Sequence, residues 1–439
     1  MLRNYILLAF KILMRRKFYA FVSIFGISIT LACLILVTSI VEYFIKPTGP
    51  EKNTDYILVA GAITIEQNYQ TEKGSHSQER RNGPLGFKFI KNFLLDMGTP
   101  ELMSIVGGGT GGILGTATLV GYNKGNKISS AVKYTDANFW RILDFKFIEG
   151  RPFNELEHQN GDYVVVISKA TKDRYFPNSN AVGNWLDLEG HQYRVVGVVD
   201  NVSLLETFAT SDIWIPIFAT PSRKFENDSI GNFSLLIKAS SVKDIPIIKD
   251  EYLSKVQDFQ ATITPIRPGA KVIVYSYAFS RTELLFRILE EFSGNRSALI
   301  QQTNNFHKKY FGLLVLGALL FMLLPIINLL NLNVSRILER SSEIGVRKSF
   351  GAPSTRLVYQ FIVENLVVTF LGGLCGYVIV MLINVLINQG NTLLFDNWSL
   401  NFTVFGLGFV YILIFGFLSS IYPAWKMSKL DPVQALKGV

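Results

Sequence analysis

Four long apolar stretches divide the chain into segments of very different character. Each is long enough to cross a bilayer as a helix, which takes about 20 apolar residues. Glu364 is the only charged residue within them. The first stretch is too long for a cleaved secretion signal and no small-residue cleavage site follows it, so it predicts a retained membrane anchor. The stretches are roughly Phe18 to Val41, Tyr310 to Leu332, Phe361 to Ile387 and Phe402 to Tyr422.

The segment between the first two stretches alternates between helix-type and strand-type patterns. Pro84 stands at a plausible first position of one helix, and Ser168 is placed to cap another. Glu189-Gly190 lies between two strand-type runs and predicts a hairpin turn. Helical patterns cover 84–97, 242–259 and 281–309, and strand patterns cover 56–65, 163–167, 185–188, 192–199, 233–238 and 271–277.

These patterns predict an α+β membrane protein, in which four transmembrane helices carry one large, two-lobed α/β extracytoplasmic domain on helical stalks. Two small lobes are expected because strand, helix and strand recur along the outer segment. The predicted order is an amphipathic cytoplasmic helix at 1–17, a first span at 18–45, the extracytoplasmic domain with its stalk helices at 46–309, a second span at 310–334, a cytoplasmic loop at 335–360, a third span at 361–387, a short outer loop at 388–401, a fourth span at 402–421 and a cytoplasmic tail at 422–439.

The basic side chains are concentrated in three short segments, and this sets the predicted orientation. Cytoplasmic flanks of membrane spans carry an excess of Lys and Arg. The whole chain has a net charge of +9, so the rest of it is close to neutral, and 388–401 contains no Lys or Arg. We therefore expect a multi-pass membrane protein, with both termini and the 335–360 loop in the cytoplasm and 46–309 outside. The basic residues are Arg3, Lys11, Arg15, Arg16, Lys17, Arg336, Arg340, Arg347, Lys348, Arg356, Lys426, Lys429 and Lys437, against the acidic Glu339, Glu343 and Asp431.

Composition excludes several other classes of protein. Nucleic-acid binding would need a basic stripe with aromatic residues on one folded domain, whereas the basic excess here follows the membrane spans. Cys33 and Cys375 lie in apolar stretches, so no disulfide framework is expected outside and packing roles are favoured. The mean hydropathy of +0.28 fits a mixture of membrane spans and a water-exposed domain. The four histidines lack metal-ligand spacing, which argues against a zinc site; they are His76, His158, His191 and His307.

Catalytic motifs are scarce. The glycine-rich run 107–112 is not followed by Gly-Lys-Ser or Gly-Lys-Thr, so a flexible loop is favoured over a phosphate-binding role. Neighbouring carboxylates such as Glu155 and Glu157 are read as solvated faces and not as an acid/base pair. We therefore expect no catalytic residues, no metal site and no cofactor within this chain.

The most specific signal is a charged segment with two glycines between the second and third spans. It closely resembles the signature of the FtsX-like and MacB-like ABC transporter permeases. Three other stretches agree with that family in the same order. Residues 9–17 resemble its amphipathic first helix, 147–153 with 195–199 resemble its MacB-type periplasmic core domain, and 422–426 with 430–436 resemble its C-terminal end. The signature residues are Glu339, Arg340, Glu343, Ile344, Gly345, Val346, Arg347, Lys348, Gly351, Ala352, Gln360, Phe361 and Glu364.

The resemblance implies a permease subunit of the bacterial cytoplasmic (inner) membrane that is not itself an enzyme. A separate cytoplasmic ABC ATPase would bind ATP and Mg²⁺, since only 17 residues precede the first span here. The other implied partners are a second permease copy, identical or paralogous, a periplasmic adaptor and membrane lipids. The FtsX-like permease domain would cover about 310–436. Closure of the ATPase would move the outer domain and so drive export or extraction of an envelope substrate. The implied ATPase-coupling residues are Glu339, Arg340, Glu343, Ile344, Gly345, Arg347, Lys348, Gly351 and Ala352.

Two questions stay open from the sequence. Glu339, Glu343 and Arg347 recur at four-residue spacing along one helix face, which either docks on the ATPase or is a surface helix held by lipid phosphates. The function is either transport or a cargo-free signal relay that controls an envelope enzyme such as a cell-wall hydrolase. A membrane-anchored enzyme is disfavoured by the lack of a catalytic constellation, and the large outer domain favours an exporter. Residues 61–128 match the family pattern poorly, so the identity of the cargo and the role of this segment stay open.

Overall fold

The computed structural model divides the chain into two units, which we call the outer unit, 46–308 with 393–396, and the helical unit, the remaining residues. The structure describes residues 17–45, 49–52, 54–70, 76–107, 116–123, 126–203, 206–284, 341–351 and 353–389, and isolated residues within 7–15, 312–320 and 406–425. The second and fourth predicted spans, most of the predicted stalk at 281–309, the glycine-rich run beyond Gly107 and the tail lie largely outside the described residues.

Eight α-helices and fourteen β-strands have bounds within the described residues. The helices are α1 Lys17–Ile45, α2 Phe87–Phe89, α3 Phe139–Ile142, α4 Glu155–Asn160, α5 Lys169–Tyr175, α6 Ile245–Thr262, α7 Ser341–Ser349 and α8 Ser354–Gln389. The strands are β1 Ile57–Ala60, β2 Ile63–Gln70, β3 His76–Gly83, β4 Leu102–Gly107, β5 Ala117–Asn123, β6 Asn126–Thr135, β7 Phe147–Gly150, β8 Val164–Ser168, β9 Trp185–Leu188, β10 His191–Val199, β11 Ile213–Pro216, β12 Phe233–Lys238, β13 Lys271–Ser276 and β14 Phe279–Ser280.

Six strands of the outer unit close on themselves into a small barrel. Neighbours follow the order β11, β8, β10, β9, β5 and β6, and β6 then pairs in parallel with β11. The contact between β5 and β9 is narrow, through Gly121 and Leu188. A closed sheet of few strands is filled by its own side chains. The buried core at this place contains Val132, Val165, Ile167, Leu186, Leu188, Tyr193, Val195, Val198, Ile213 and Ile215.

The same sheet continues beyond the barrel. From β6 it runs through β4, β12 and β1 to β14, and β7 joins at β10, which makes eleven strands. A separate three-stranded sheet has the order β13, β2, β3. Side chains of α6 pack with both sheets in one core, which includes Leu58, Ile65, Leu235, Ile248, Tyr252, Val256, Phe259 and Val274. Because one continuous sheet runs through the outer unit, the predicted two-lobed layout is not confirmed, whereas the mixed α/β content is.

Local sequence signals predicted some elements correctly and others wrongly. The Ser168 hydroxyl accepts a hydrogen bond from the Thr171 N–H at 3.2 Å, as a cap of α5. Residues 84–97 are helical only from Phe87, because Leu85 N–H donates to the Phe233 carbonyl at 3.0 Å, so Pro84 does not begin the helix. The run 56–65 is not one strand. It breaks between β1, which pairs with β12, and β2, which pairs with β13 in the other sheet.

Among the described residues of the helical unit, two helices are long and apolar enough to cross a membrane, over Ala20–Ser39 and Ser354–Leu386. These parts of α1 and α8 pack together through apolar residues. Polar contacts reach described residues of the fourth predicted span: Asn365 Nδ2 donates to Ser420 Oγ at 2.7 Å, and the hydroxyls of Thr38 and Tyr411 lie 3.3 Å apart. Hydrogen bonds of this kind join helices in lipid. The packed apolar residues are Ile27, Leu31, Leu34, Val368, Ala32, Ile35 and Val380.

Candidate coupling site

The segment that the sequence singles out folds as a short helix, a tight turn and the start of a long helix. α7 ends where Gly351 adopts a left-handed backbone conformation, with φ of +83°, and its N–H donates to the Lys348 carbonyl at 2.9 Å. Glycine favours this conformation because it has no Cβ, and it commonly ends helices in this way. Pro353 then precedes α8, and its carbonyl accepts the Arg356 N–H at 3.0 Å. The predicted loop 335–360 is therefore largely helical where it is described.

One side-chain hydrogen bond joins the two helices. Arg347 Nη1 donates to Gln360 Oε1 at 3.2 Å, and Arg347 is half-buried. Arg347 and Lys348 both lie in the last turn of α7, where the helix dipole favours positive charge. Gly345 is buried on the same helix. This hydrogen bond links α7 to the start of α8 across the turn. We call the segment 341–360 the coupling hairpin.

The end of the coupling hairpin presents apolar side chains to the surroundings. Phe350, at the turn, is 89% exposed, and Tyr359 on α8 is 66% exposed. Val346, one turn before Phe350, is 42% exposed. Aromatic side chains with this exposure are the residue type that anchors protein–protein contacts. These exposed apolar side chains lie close to the basic residues Arg347 and Lys348.

The structure brings together only part of the predicted coupling set. Gly345, Arg347, Lys348 and Gly351 lie in α7 and its C-terminal turn. Glu343 and Ile344 belong to the α7 backbone, but their side chains lie outside the described residues, as do Glu339, Arg340 and Ala352 entirely. The predicted pairing of Glu339, Glu343 and Arg347 therefore stays a prediction.

Sequence reasoning missed two residues of the coupling hairpin. Gln360 belongs to the family signature, but the sequence does not indicate its contact with Arg347. The two residues lie on different helices, so helical periodicity does not relate them. Phe350 had a visible signal, since it is a single large apolar residue between Ser349 and Gly351 in an otherwise polar run. The isolation of Phe350 in this run is therefore the feature of the sequence that indicates an exposed aromatic side chain.

Asp136 and Lys133 of the outer unit have strongly displaced pKa values. Burial raises the pKa of Asp136 to about 6, although its carboxylate accepts hydrogen bonds from Ser104 and from the Ile105 and Phe139 N–H groups. Burial likewise lowers the pKa of Lys133 to about 7. Neither residue lines the cleft described next. Among the described residues no group of three or more His, Cys, Asp or Glu side chains is placed to hold a metal ion.

The outer unit also has an open cleft of about 600 Å³ between β2, β3, the end of α6 and the loop before β12. Its walls are apolar at Ile65 and Phe259, whereas Arg81, Lys88 and Asp228 are exposed at its edge. Charges of both signs at the edge indicate no single class of ligand. The cleft therefore supports neither a catalytic site nor a cargo site.

Two family models match this chain. The MacB-like periplasmic core domain matches residues 20–252, and the FtsX-like permease C-terminal domain matches residues 315–432. Together the two matches cover most of the sequence, in the order that the sequence motifs predicted. The coupling hairpin lies within the FtsX-like match, and the barrel lies within the MacB-like match.

Curated relatives carry names from the same group. The chain is 24% identical over 304 residues to the ABC transporter permease YknZ of Bacillus subtilis (strain 168), which covers 68% of either chain. It is 26% identical over 315 residues to the macrolide export ATP-binding/permease protein MacB of Wolinella succinogenes, covering 71% of this chain and 44% of that protein. The pyoverdine export ATP-binding/permease protein PvdT of Pseudomonas fluorescens (strain Pf0-1) is 26% identical over 306 residues, covering 69% and 42%. The chain thus spans about two thirds of YknZ and less than half of MacB and PvdT.

Solved structures of outer domains show a distant likeness. The periplasmic region of MacB from Actinobacillus actinomycetemcomitans matches with a TM-score of 0.34 and 13% identity, over 52% of this chain and 92% of that one. The extracellular domain of the noncanonic ABC-type transporter YknZ from Gram-positive bacteria matches with a TM-score of 0.32 and 13% identity, over 48% and 99%.

Proposed function

This chain belongs to the ABC transporter permeases of the MacB and FtsX type, and we propose that it transmits ATP-driven motion from a separate cytoplasmic ATPase to its extracytoplasmic domain. The ATPase would bind ATP and Mg²⁺, and this chain would bind neither. The work done on the outside would be export or extraction of an envelope substrate.

The observation that carries the proposal is the coupling hairpin. A lever between two proteins needs a surface that docks and a rigid connection behind it. Phe350 and Tyr359 provide exposed aromatic surface, and the Arg347–Gln360 hydrogen bond links α7 to α8. α8 then continues without interruption to Gln389. A push on α7 would therefore be delivered along a single 36-residue helix and not absorbed in a flexible loop.

The proposed setting follows from the charge distribution and the relatives. The chain would be a multi-pass protein of the bacterial inner membrane, with four spans, both termini in the cytoplasm and 46–309 outside. It would work as two copies or with a paralogue, in contact with lipids and with a periplasmic adaptor. The names of MacB and PvdT speak of macrolide and pyoverdine export, which favours export over the cargo-free relay. They identify no cargo for this chain.

The test reverses charge within the coupling hairpin. Glu343→Lys and Arg347→Glu are made one at a time in the full chain, and the ATPase that co-purifies with the wild type in mild detergent is quantified. Truncating one side of a hydrogen-bonded charge pair at an interface costs roughly 2 to 5 kcal/mol. We therefore expect a loss of ATPase co-purification of tenfold or more (about 1.4 kcal/mol per tenfold), with unchanged abundance in the membrane.

Matched controls separate docking from attraction to lipid. Asp431→Lys and Lys429→Glu make the same charge changes on the predicted cytoplasmic side, outside the hairpin. If the hairpin were only a lipid anchor, each hairpin variant would behave like the control with the same charge change, because surface attraction is about 1 kcal/mol per basic residue wherever it stands. Gln360→Leu adds a neutral test, since it breaks the bond to Arg347 without changing charge. The proposal would be refuted if each hairpin variant bound the ATPase as its matched control does and Gln360→Leu bound it as the wild type does.

A further inference from the structure

Four ionisable side chains are almost wholly buried at one place in the outer unit. Glu51, Lys133, Glu206 and Arg281 are 0%, 1%, 3% and 5% exposed. Charged residues are seldom buried to this degree unless they are paired. All four meet the same short turn, 206–210, in which the Thr210 N–H donates to the Glu206 carbonyl at 2.8 Å. Apolar packing alone does not explain why these four side chains are buried together at this turn.

Glu51 holds the turn from one side. Its Oε1 atom accepts the N–H groups of Phe208 and Ala209, at 2.7 Å and 2.9 Å. Its Oε2 atom is paired with Nη1 of Arg281, and the Arg281 guanidinium also lies 5.9 Å from the centre of the Phe208 ring. The carboxylate thus connects the turn and Arg281 through separate oxygens.

Lys133 holds the turn from the barrel. Its Nζ atom donates to the carbonyls of Thr207 and Phe208, at 3.0 Å and 2.9 Å. Lys133 belongs to β6, whose pairing with β11 closes the barrel. β11 reaches the turn as well, since Trp214 Nε1 donates to the Ala209 carbonyl at 3.2 Å. The backbone of the turn is therefore bonded to two barrel strands and to Glu51 at once.

Glu51 and Arg281 lie in the two segments that link the outer unit to the predicted membrane spans along the chain. Glu51 comes six residues after the end of α1 at Ile45, so it lies where the chain enters the outer unit. Arg281 follows β14 directly and begins the segment that leads back towards the second predicted span. One buried ion pair therefore ties together the two segments through which the membrane part connects to the outer unit.

We propose that Glu51, Arg281 and Lys133 are positioning residues that form a rigid joint, through which both segments move the barrel as one body. This inference rests on the proposed function, because it names where the transmitted motion enters the outer unit. Directional hydrogen bonds suit that role better than apolar packing does. Replacing a buried ion pair by well-packed apolar residues is often neutral or stabilising, so stability alone does not require this pair.

The experiment uses the full chain with its co-purified ATPase in lipid nanodiscs, and it measures amide hydrogen exchange with and without a non-hydrolysable ATP analogue. The variants are Glu51→Gln, which keeps an acceptor for the two N–H groups but removes the charge that faces Arg281, and Lys133→Met. In the wild type, nucleotide should change exchange in 49–56, in 279–284 and in the barrel strands β6 and β11. In the two variants the change should remain in 49–56 and 279–284 and be lost in β6 and β11.

The control variant is Glu157→Gln. It breaks the ion pair between Glu157 and Arg151 in the same unit, in which Arg151 Nη2 lies 2.7 Å from Glu157 Oε1. It should keep the wild-type response in β6 and β11. Arg281→Lys, which keeps the positive charge opposite Glu51, should keep part of that response. Exchange of β8 without nucleotide reports folding, so that if one variant fails to fold, the others decide.

The outcomes distinguish the joint from the function on which it rests. If the wild type shows no nucleotide-dependent change anywhere in the outer unit, the proposed transmission of motion fails, and the joint fails with it. If the wild type responds and Glu51→Gln and Lys133→Met respond in β6 and β11 as Glu157→Gln does, transmission stands and the joint is overturned. Selective loss in the first two variants supports the joint.

Discussion

Gly376 on α8 lies against the main chain of Ser28 on α1. A Cβ atom on Gly376 would stand 2.7 Å from the Ser28 carbonyl oxygen and 3.4 Å from the Ala32 amide nitrogen. One turn earlier, a Cβ on Gly372 would stand 2.6 Å from the Ile27 side chain. Small residues four apart allow two helices in lipid to approach closely, where no hydrophobic driving force holds them together. The contact between α1 and α8 therefore depends on the absence of a side chain at these glycines.

Gly376→Val should weaken this helix contact. The added atoms meet backbone that has no room to move, and overpacking of this kind costs about 1–3 kcal/mol. We expect a lower unfolding temperature of the purified full chain in detergent. Size-exclusion chromatography with fluorescence detection after heating measures this temperature. Cys375→Val, at the neighbouring exposed position of the same helix, should leave the unfolding temperature unchanged. Equal melting of the two variants would show that Gly376 is not a packing constraint.

Phe350→Ser should weaken binding of the ATPase without affecting the fold. Phe350 is 89% exposed, so its removal leaves no cavity in this chain, whereas an aromatic anchor at an interface carries about 2 kcal/mol or more. The measurement is the amount of ATPase retained by the immobilised full chain across a dilution series. Leu156→Ser, which removes a side chain that is 69% exposed in the outer unit, serves as the control. Undiminished retention by Phe350→Ser would remove this residue from the proposed docking surface.

The elements that the sequence predicted correctly are those that depend on residues close together in the chain. The Ser168 cap and the Glu189-Gly190 turn each arise within a few residues, and the sequence predicted them. The end of α7 at Gly351 is equally local. Barrel closure depends on the pairing of β6 with β11, whose residues are far apart in the chain. β3 has the sequence His-Ser-Gln-Glu-Arg-Arg-Asn-Gly, with no apolar alternation, and is a strand because β2 pairs with it.

The same distinction separates the coupling hairpin from the buried joint. The glycines and charges of the hairpin lie in one continuous run, so a motif indicated the segment, although not the contact of Arg347 with Gln360. Lys133 reads from sequence as an exposed residue of a strand, because lysine is rarely buried. It is buried because a turn distant in sequence supplies the Thr207 and Phe208 carbonyls as acceptors. No pattern along the chain contains that information.

Lys133 should make the stability of the outer unit depend on pH. Burial lowers the pKa of Lys133 from 10.5 to about 7, so above pH 7 the unfolded chain binds a proton that the folded chain does not. The free energy of unfolding should therefore rise with pH above 7, by up to about 1.4 kcal/mol per pH unit. The cost of burying the charge is fully present below pH 7. Hydrogen exchange of β6 at pH 7, 8 and 9, corrected for the intrinsic rate, measures the trend.

Lys133→Met supplies the reference for this pH dependence. Methionine has no titrating group, so the difference in free energy between wild type and variant should change with pH in favour of the wild type. Parallel profiles of the two proteins would mean that Lys133 keeps its proton throughout the range, contrary to the expected shift.

The topology prediction concerns the two sides of the membrane. Single cysteines replace Asp250, exposed on α6 of the outer unit, and Thr355, exposed at the start of α8, in a chain where Cys33 and Cys375 are alanine. The distribution of basic residues predicts that the 335–360 loop lies inside and 46–309 outside. A membrane-impermeant maleimide should therefore label position 250, and not position 355, in intact spheroplasts.

Permeabilised membranes provide the control for that experiment, because both cysteines should label once the inner face is open, in preparations stripped of the ATPase. The physical basis is that a charged reagent does not cross the hydrocarbon layer, so labelling reports the side on which each residue stands. Labelling of position 355 together with exclusion of position 250 in intact spheroplasts would invert the orientation. The coupling hairpin would then face away from any cytoplasmic ATPase, and the proposed function would fall with the topology.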